Sequence, residues 1–358
     1  MKRFLKFIGI ILLIIVLIVV GYVGSVWVTY DRIEDYQQLE VVGGEQLSEA
    51  VAGEEYTIVT QNVGFGAYTR DFSFFMDGGT ESRAASPSSV KTCLAKAVTA
   101  IDEQKPDIIV WQEVDEKATR SHKINEVKWI ETYYNTSSNV YACNYDSAYL
   151  MYPIWKPHGK SKSGIITVSN FTTTSALRRS LKVSDSFSKL IDLDRCYSVC
   201  RIPVTNGKEL VIYNVHMSAY GGSDEIRYSQ LTQLCQDMKA EYDKGNYAIA
   251  GGDFNCDFTG TSVEGLNGKM DMSEEGWAQP MLVECIPEGI SRCVDYTNGT
   301  IHPTCRNCDI PYEEGNFTII VDGFLISDNV EMTYLENVQT GFEYSDHMPV
   351  TMRFKLIE

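Results

Sequence analysis

The sequence predicts an α/β fold, two packed β-sheets flanked by helices, preceded by one membrane-spanning helix. Three observations carry this. A charge-free apolar run fills residues 7–30. From Tyr56 onward, apolar runs of strand length recur to the C-terminus. Only a few amphipathic helical stretches lie between them, so the strands must bury much of their surface against one another. At 358 residues, 44% hydrophobic and 22% charged, the chain has the composition of a globular protein with a sizeable core.

Lys2, Arg3 and Lys6 fall in residues 1–6, ahead of "IGIILLIIVLIVVGYVG". The run 7–30 is long enough to cross a hydrocarbon core of about 30 Å as a helix. A cleaved signal peptide normally has a shorter apolar region closed by a small-x-small site, which "VGS" matches poorly, so the expectation is a retained anchor. Basic residues before the span, with Asp31, Glu34 and Asp35 after it, predict a cytoplasmic N-terminus and an extracytoplasmic remainder at the cell membrane. Residues 31–55 are acidic and glycine-punctuated without a sustained period and read as a stalk, leaving 56–358 as the folded domain.

Within that domain "TIVTQNV" is a first strand. "SSVKTCLAKAVTAIDEQ" spaces Val90, Leu94, Ala97, Val98 and Ile101 at helical intervals, with Ser88 or Ser89 as N-cap and Pro106 past the end. "PDIIVWQEV" is continuously apolar, as in a strand buried on both faces. "SGIITVSN", "CYSVCRIPV", "ELVIYNVHM", "YAIAGGDFN", "FTIIVDGFLIS" and "MPVTMRFKL" read as strands likewise. A second helix begins at a Ser223 cap, carries Asp224 and Glu225 near its positive end, and presents Ile226, Leu231, Leu234, Cys235, Met238 and Tyr242 as one stripe before Gly245 closes it.

The net charge of −17 disfavours nucleic acid, whose binding rests on neutralising phosphates. The one dense basic loop, "WKPHGKSK" with Lys156, His158, Lys160 and Lys162, reads as a solvated loop. Cys196 and Cys200 fit one face of a strand as small buried residues. Cys305 and Cys308 make a single C-x-x-C, with Cys285 and Cys293 upstream. Without a second such pair, a disulfide or free thiols are expected ahead of a zinc cage. Asn135, Asn170, Asn298 and Asn316 head N-x-S/T sequons, which matter only where the host glycosylates secreted proteins.

The informative polar residues stand where apolar strands stop. Asn62 ends the first strand, Glu113 ends "DIIVWQE", and His216 ends "VIYNVH". Asp253 and Asn255 follow "YAIAGG", whose glycines would let the backbone turn at the sheet rim. Asp322 interrupts "TIIVDGFLIS", and Asp346 and His347 precede "MPVTMRF". Singly, each is an ordinary strand cap or turn residue. Gathered at one rim, they make a pocket of carboxylates, amides and imidazoles. Hard carboxylate oxygens suit Mg²⁺, with Mn²⁺ as a substitute. A carboxylate to activate water and imidazole donors for developing charge complete the needs of a phosphoester hydrolase.

"QN" at 61–62, "WQE" at 111–113, "YNVH" at 213–216, "GGDFN" at 251–255, "VDGF" at 321–324 and "SDH" at 345–347 resemble, in order, the motifs of the endonuclease/exonuclease/phosphatase (DNase I-like) superfamily. It includes DNase I-like nucleases, neutral sphingomyelinases and inositol polyphosphate 5-phosphatases. The resemblance spans about residues 55–358 and implies a four-layer α/β sandwich of two mixed sheets, with Mg²⁺-dependent attack of water on phosphorus. It implies that Glu113 is the main metal ligand, with Asn62 near the metal and phosphate and Asp346 an outer or second ligand. Asp253 would orient or deprotonate water, Asn255 would hold Asp253 or a phosphate oxygen, and His216 and His347 would donate to phosphate oxygens. Asp322 would fix the tautomer of His347. Many relatives carry a basic residue and an aromatic about the fifth motif. Ile320-Val321-Asp322-Gly323 has neither, which weakens a nuclease reading.

Arg120, in "DEKATRSHKINEV", could reach a substrate phosphate or cap a helix at the surface. The expected activity is that of a membrane-anchored phosphodiesterase or phosphatase on phospholipid head groups or small phosphoesters. An extracytoplasmic nuclease and an inactive surface binding module are the alternatives. No aromatic-rich second membrane segment and no protein partner are anticipated.

Overall fold

The computed structural model describes residues 2–30, 32–44, 47–186, 189, 192–219, 224–259, 279–313 and 315–357. Asp31 and the Ser223 cap, together with the Asp224 side chain, lie outside what is described. After helix α1 (Lys2–Thr29) the chain builds two seven-stranded sheets. The first runs β1 (Gln37–Gln38), β7 (Ser175–Ser180), β8 (Cys196–Pro203), β9 (Glu209–His216), β10 (Tyr247–Asp253), β14 (Asp322–Ser327), β11 (Ile290–Arg292). The second runs β15 (Val330–Asn337), β16 (Val350–Leu356), β3 (Glu55–Asn62), β4 (Ile108–Asp115), β6 (Lys162–Ser169), β5 (Ser138–Asp146), β2 (Val41–Val42). β12 (Cys305–Arg306) and β13 (Thr318–Ile319) form a small ribbon.

Alternation along the strands explains the layers. Ile58, Ile108, Val110, Ile212, Ile249, Phe324 and Met352 meet between the sheets. Val59, Ile109 and Trp111 turn outward onto α2 (Pro87–Asp102) and α3 (Glu126–Tyr133). Tyr213, Val215, Ala248 and Ala250 turn the other way onto α4 (Asp224–Asp243), where Leu231, Leu234, Cys235 and Met238 are buried. Strands covered on both sides read as continuous apolar runs for this reason. The result is the expected α/β/β/α sandwich.

Two parallel pairs set the site. β3 pairs with β4 across α2, and β9 with β10 across α4. Parallel strands joined by a helix end at the same edge, so all four C-terminal ends reach one rim. A polar bolt ties the sheets just behind it. Asn214 donates to the carbonyls of Trp111 at 3.2 Å and Ile166 at 2.9 Å, and Gln112 donates back to its Oδ1 at 2.8 Å.

Several local expectations need correction. α2 is capped by Ser86, whose Oγ accepts the Ser89 N–H, because Pro87 takes the first helical position where no N–H is needed. The stretch expected as a stalk enters the fold at Gln37, since β1 pairs with β7 and β2 with β5. "FTIIVDGFLIS" is two strands, because β13 pairs with β12 while β14 starts at Asp322. Gly251 and Gly252 lie inside β10 rather than in a turn. A Cβ there would meet the Phe324 ring at 2.6 Å or the Val215 carbonyl oxygen at 2.1 Å, so the glycines permit close packing. β5, β7, β15 and α3 were not anticipated. β7 and β15 are half exposed, and their polar residues mask the period.

Candidate active site

Glu113 does not end β4, as expected from "DIIVWQE". The strand continues to Asp115, and pairing with β6 skips between Trp111 and Val114. Glu113 sits in that bulge with φ 55°, which swings its side chain out of the ladder toward the rim. The side chain is 24% exposed, and Arg120 Nη1 lies 3.9 Å from its Oε2.

Asp253, at the end of β10, is 1% exposed. Its Oδ1 accepts the Asn255 backbone N–H at 2.9 Å, and its Oδ2 accepts from Asn255 Nδ2 at 3.1 Å and Asn62 Nδ2 at 3.0 Å. Asn255 reaches back because its φ is 51°, a left-handed conformation that asparagine tolerates. Burial, with the nearby charge of Asp322 adding to it, pushes the Asp253 carboxyl up to about 7 against the hydrogen bonds it accepts. Asn62 Nδ2 also approaches Glu113 Oε1 at 3.5 Å, and its own Oδ1 accepts the Gly64 N–H.

The two imidazoles are in opposite states. Burial works against charge on His347, yet the carboxylate of Asp322, 2.8 Å from its Nδ1, with Cys305 and Asp253 beyond, holds the ring well above its usual pKa. It is a cation at neutral pH, with Nε2 3.9 Å from Asp253 Oδ2. Burial and Arg195 drive His216 well below its usual pKa, so this ring is neutral. Its Nε2 accepts from Arg195 Nη1 at 2.7 Å and lies 3.6 Å from Asp253 Oδ2. A neutral ring accepts at one nitrogen only. Nδ1 therefore carries the proton, and the Asn144 amide, 3.3 Å away, meets it best with the oxygen that otherwise has no partner.

Asp346 is half-buried beside the Cys308 thiol and the Ser345 hydroxyl. Burial pushes its carboxyl up, and the charge of Glu113 adds to this. Among the described residues Asp253, Asp322 and His347 offer ligand atoms within 4.8 Å of one another. Asp322 already engages Nδ1 of His347 at 2.8 Å, an arrangement that also serves proton handling. The hard-oxygen donors are Glu113 and Asp346, whereas Asn62 turns its Nδ2 and not its oxygen toward the acids. The raised carboxyls of Asp253 and Asp346, with Glu113 between them and solvent, mark an excess of negative charge that a hard divalent cation would neutralise, so the residues fit such an ion.

These groups floor a cavity of about 590 Å³. Glu113, His216, Asp253, Asn255, Asp346 and His347 line it, whereas Asn62 and Asp322 stand behind, touching Asp253 and His347. Arg120 lines it too, but it is buried rather than a surface cap. Asp115 holds it at 2.9 Å, and its guanidinium lies 4.0 Å over the Phe65 ring. Its Nη2 is thereby engaged, while Nη1 faces Glu113. Cys256 does not line the cavity, and all ten cysteines are free thiols.

Sequence reasoning missed Arg195 and His158. Arg195 precedes Cys196, the residue that pairs with His216, so only the β8–β9 register could have found it. His158, expected in a solvated loop, is buried among Phe65, Phe74 and Phe75 on the cavity wall, where burial lowers its pKa to about 4. Lys160 and Lys162 of that loop pair with Asp146 and Glu116.

A family profile described as Endonuclease/Exonuclease/phosphatase family matches residues 59–347. Among solved structures, the endonuclease/exonuclease/phosphatase from Beutenbergia cavernae DSM 12333 superposes with TM-score 0.57 at 14% identity, covering 85% of this chain and 72% of that one. The endonuclease/exonuclease/phosphatase from Bacteroides vulgatus gives 0.54 at 14% identity, over 85% and 99%. ANGEL2, a 2',3'-cyclic phosphatase solved with adenosine-2',3'-vanadate, gives 0.54 at 15%, over 92% and 99%. At such identities the likeness is one of fold. No curated protein sequence matches the chain.

Proposed function

The chain belongs to the endonuclease/exonuclease/phosphatase family, a family of phosphoesterases and nucleases, and from that premise we propose that it is a membrane-anchored, extracytoplasmic, divalent-metal-dependent phosphoester hydrolase. Phospholipid head groups or small phosphoesters are its favoured substrates. The observation that carries the reading is Asp253. A buried carboxylate raised to about 7 sits between a cationic and a neutral imidazole on a cavity floor. A base titrating near neutrality beside a proton donor is what attack of water on phosphorus needs.

Glu113 and Asp346 would hold Mg²⁺, or Mn²⁺ in its place, with Asn62 behind them. The ion supplies charge neutralisation at a phosphoryl oxygen. Asp253 takes the proton of the attacking water as the new O–P bond forms. Asn62 and Asn255 keep its oxygens aimed. His347, kept charged by Asp322, donates to a phosphoryl or leaving oxygen as the old O–P bond breaks. His216 has both ring nitrogens engaged, by Arg195 and Asn144, so it does not donate to a phosphate oxygen as expected but positions the Arg195 guanidinium beside the cavity floor. Arg195 and Arg120 supply positive charge at the cavity wall for phosphate oxygens. The net charge of −17 counts against a long polyanion.

The test uses the full chain in detergent micelles, because β1 and β2 begin well before Tyr56 and a shorter fragment would open both sheet edges. With Mg²⁺ it should hydrolyse bis-p-nitrophenyl phosphate, sphingomyelin or phosphatidylinositols, and a chelator should abolish this. Turnover of none of these, nor of DNA, would sink the enzyme reading. DNA as the best substrate would shift it to the nuclease alternative.

A further inference from the structure

The segment Tyr149–Trp155, "YLMYPIW", is a strongly exposed apolar loop among the described residues. Ile154 is 78% and Trp155 82% exposed, and Tyr149, Met151 and Tyr152 are exposed beside them. Nothing about its backbone is loose. Leu150 and Gly159 exchange hydrogen bonds of 3.0 Å, and the His158 N–H donates to the Tyr152 carbonyl. The Tyr152 ring packs on Phe75, 5.6 Å between centroids. A rigid loop holding large apolar side chains in water needs a covering.

Its neighbour says what the covering is. Tyr22 of α1 donates its hydroxyl to the Tyr149 carbonyl at 3.1 Å and accepts the Met151 N–H at 3.2 Å. At about 1.5 Å per residue, Tyr22 stands about 12 Å short of Tyr30, the outer end of the charge-free run. A loop clamped to Tyr22 is therefore held within the outer leaflet, below the end of the span, where lipid would cover its apolar side chains. Lys156, exposed and directly following the apolar tip, can reach up to a lipid phosphate.

The cavity opens at the same place. Tyr22, Leu150, Met151, Tyr152, Phe75 and Met76 form its apolar wall, and the catalytic carboxylates and imidazoles lie at its floor. We infer that Tyr149–Trp155 is a bilayer-docking loop and that the cavity takes its substrate, a phosphoester carried on a hydrocarbon tail, directly from the membrane. The loop and Tyr22 guide the tail, while Arg195 and His347 meet the phosphate. This rests on the anchored hydrolase proposed above and names its substrate class.

Two measurements on the full chain in dioleoylphosphatidylcholine vesicles test it. Lipids spin-labelled near the headgroup should quench tryptophan emission, and Trp155→Phe should remove a quenched component that Trp129→Phe leaves in place. Quenching unchanged by Trp155→Phe would overturn the docking loop, whether or not the protein is an enzyme. The second arm uses Ile154→Ser/Trp155→Ser, two residues that do not line the cavity. The pair should cut turnover of vesicle phosphatidylcholine, sphingomyelin or phosphatidylinositol by roughly tenfold or more. Turnover of soluble bis-p-nitrophenyl phosphate should change by less than about twofold. An equal fall on both substrates, no fall on either, or wild-type turnover of the soluble diester and of none of the lipids would overturn the inference. Turnover of neither class by the wild type would instead refute the hydrolase, leaving the quenching result to judge the loop.

Discussion

Glu113 and Asp253 occupy corresponding places, near the C-terminal end of the second strand of a β-α-β unit, one in each sheet, yet their surroundings are opposite. Glu113 leaves its ladder at a bulge and is 24% exposed beside a guanidinium. Asp253 stays in its ladder, paired with His216 on one side and Asp322 on the other. It is almost wholly buried and takes amide hydrogen bonds on both oxygens. Position on the fold brings both acids to one rim, and local backbone geometry then divides the labour. The freed carboxylate keeps open lone pairs for a cation. The locked one has lost water and with it much of its preference for the charged form, which makes it the better base.

The largest test of this contrast removes the locked half. Asp253→Ala and His347→Ala should each lower kcat by two or more orders of magnitude with circular dichroism unchanged, as the roles proposed for them require. Glu113→Gln should behave differently. Its main effect should be a rise of roughly tenfold to a hundredfold in the Mg²⁺ concentration needed for half-maximal rate, with part of the activity recovered at saturating metal. If instead Glu113→Gln cannot be rescued by metal while Asp253→Ala can, the two roles are exchanged.

The contrast also has a stability consequence. Asp253 titrates at about 7 in the fold against an ordinary 3.8. Between these values the folded chain keeps a proton that the unfolded chain has lost. This favours folding at the acid end and is lost as pH rises through 7. An amide at 253 carries no such penalty. Asp253→Asn should therefore match the wild type near pH 4 and exceed it above pH 7, by about 2–4 kcal/mol, in chelator-treated protein unfolded by denaturant. A gain that does not grow with pH would mean that Asp253 is not strained toward its neutral form.

Much of this arrangement was legible in the sequence, for a physical reason. Strands buried on both faces are apolar throughout, so the polar residue that ends each one stands out. Asn62, His216 and Asp253 do lie at strand ends on a common rim. Glu113 was found by type but not by geometry, because a bulge has no composition signal. Arg195 was missed because only strand register joins it to His216. The edge strands at Gln37 and Val41 were read as a stalk because two-residue pairings leave no periodicity. The apolar residues of the loop Tyr149–Trp155 follow no helical or strand period, and what sets them apart is their contact with Tyr22, a residue far away in the chain.

The smallest expected effect lies within the same short segment. Cys256 follows Asn255 directly, yet it faces the α4 side of the sheet, among Phe254, Phe258 and Met281, where burial raises its thiol pKa far beyond physiological pH. It is neither a nucleophile nor a ligand there. Serine is nearly the same size but brings a hydroxyl that the apolar cluster hydrates poorly. Cys256→Ser should cost about 1–2 kcal/mol of stability while leaving kcat within about threefold of wild type. The alternation of strand and turn has put its two polar neighbours on the cavity and the thiol behind them. A kcat loss for Cys256→Ser as large as that for Asp253→Ala would mean that this turn presents the opposite face to substrate.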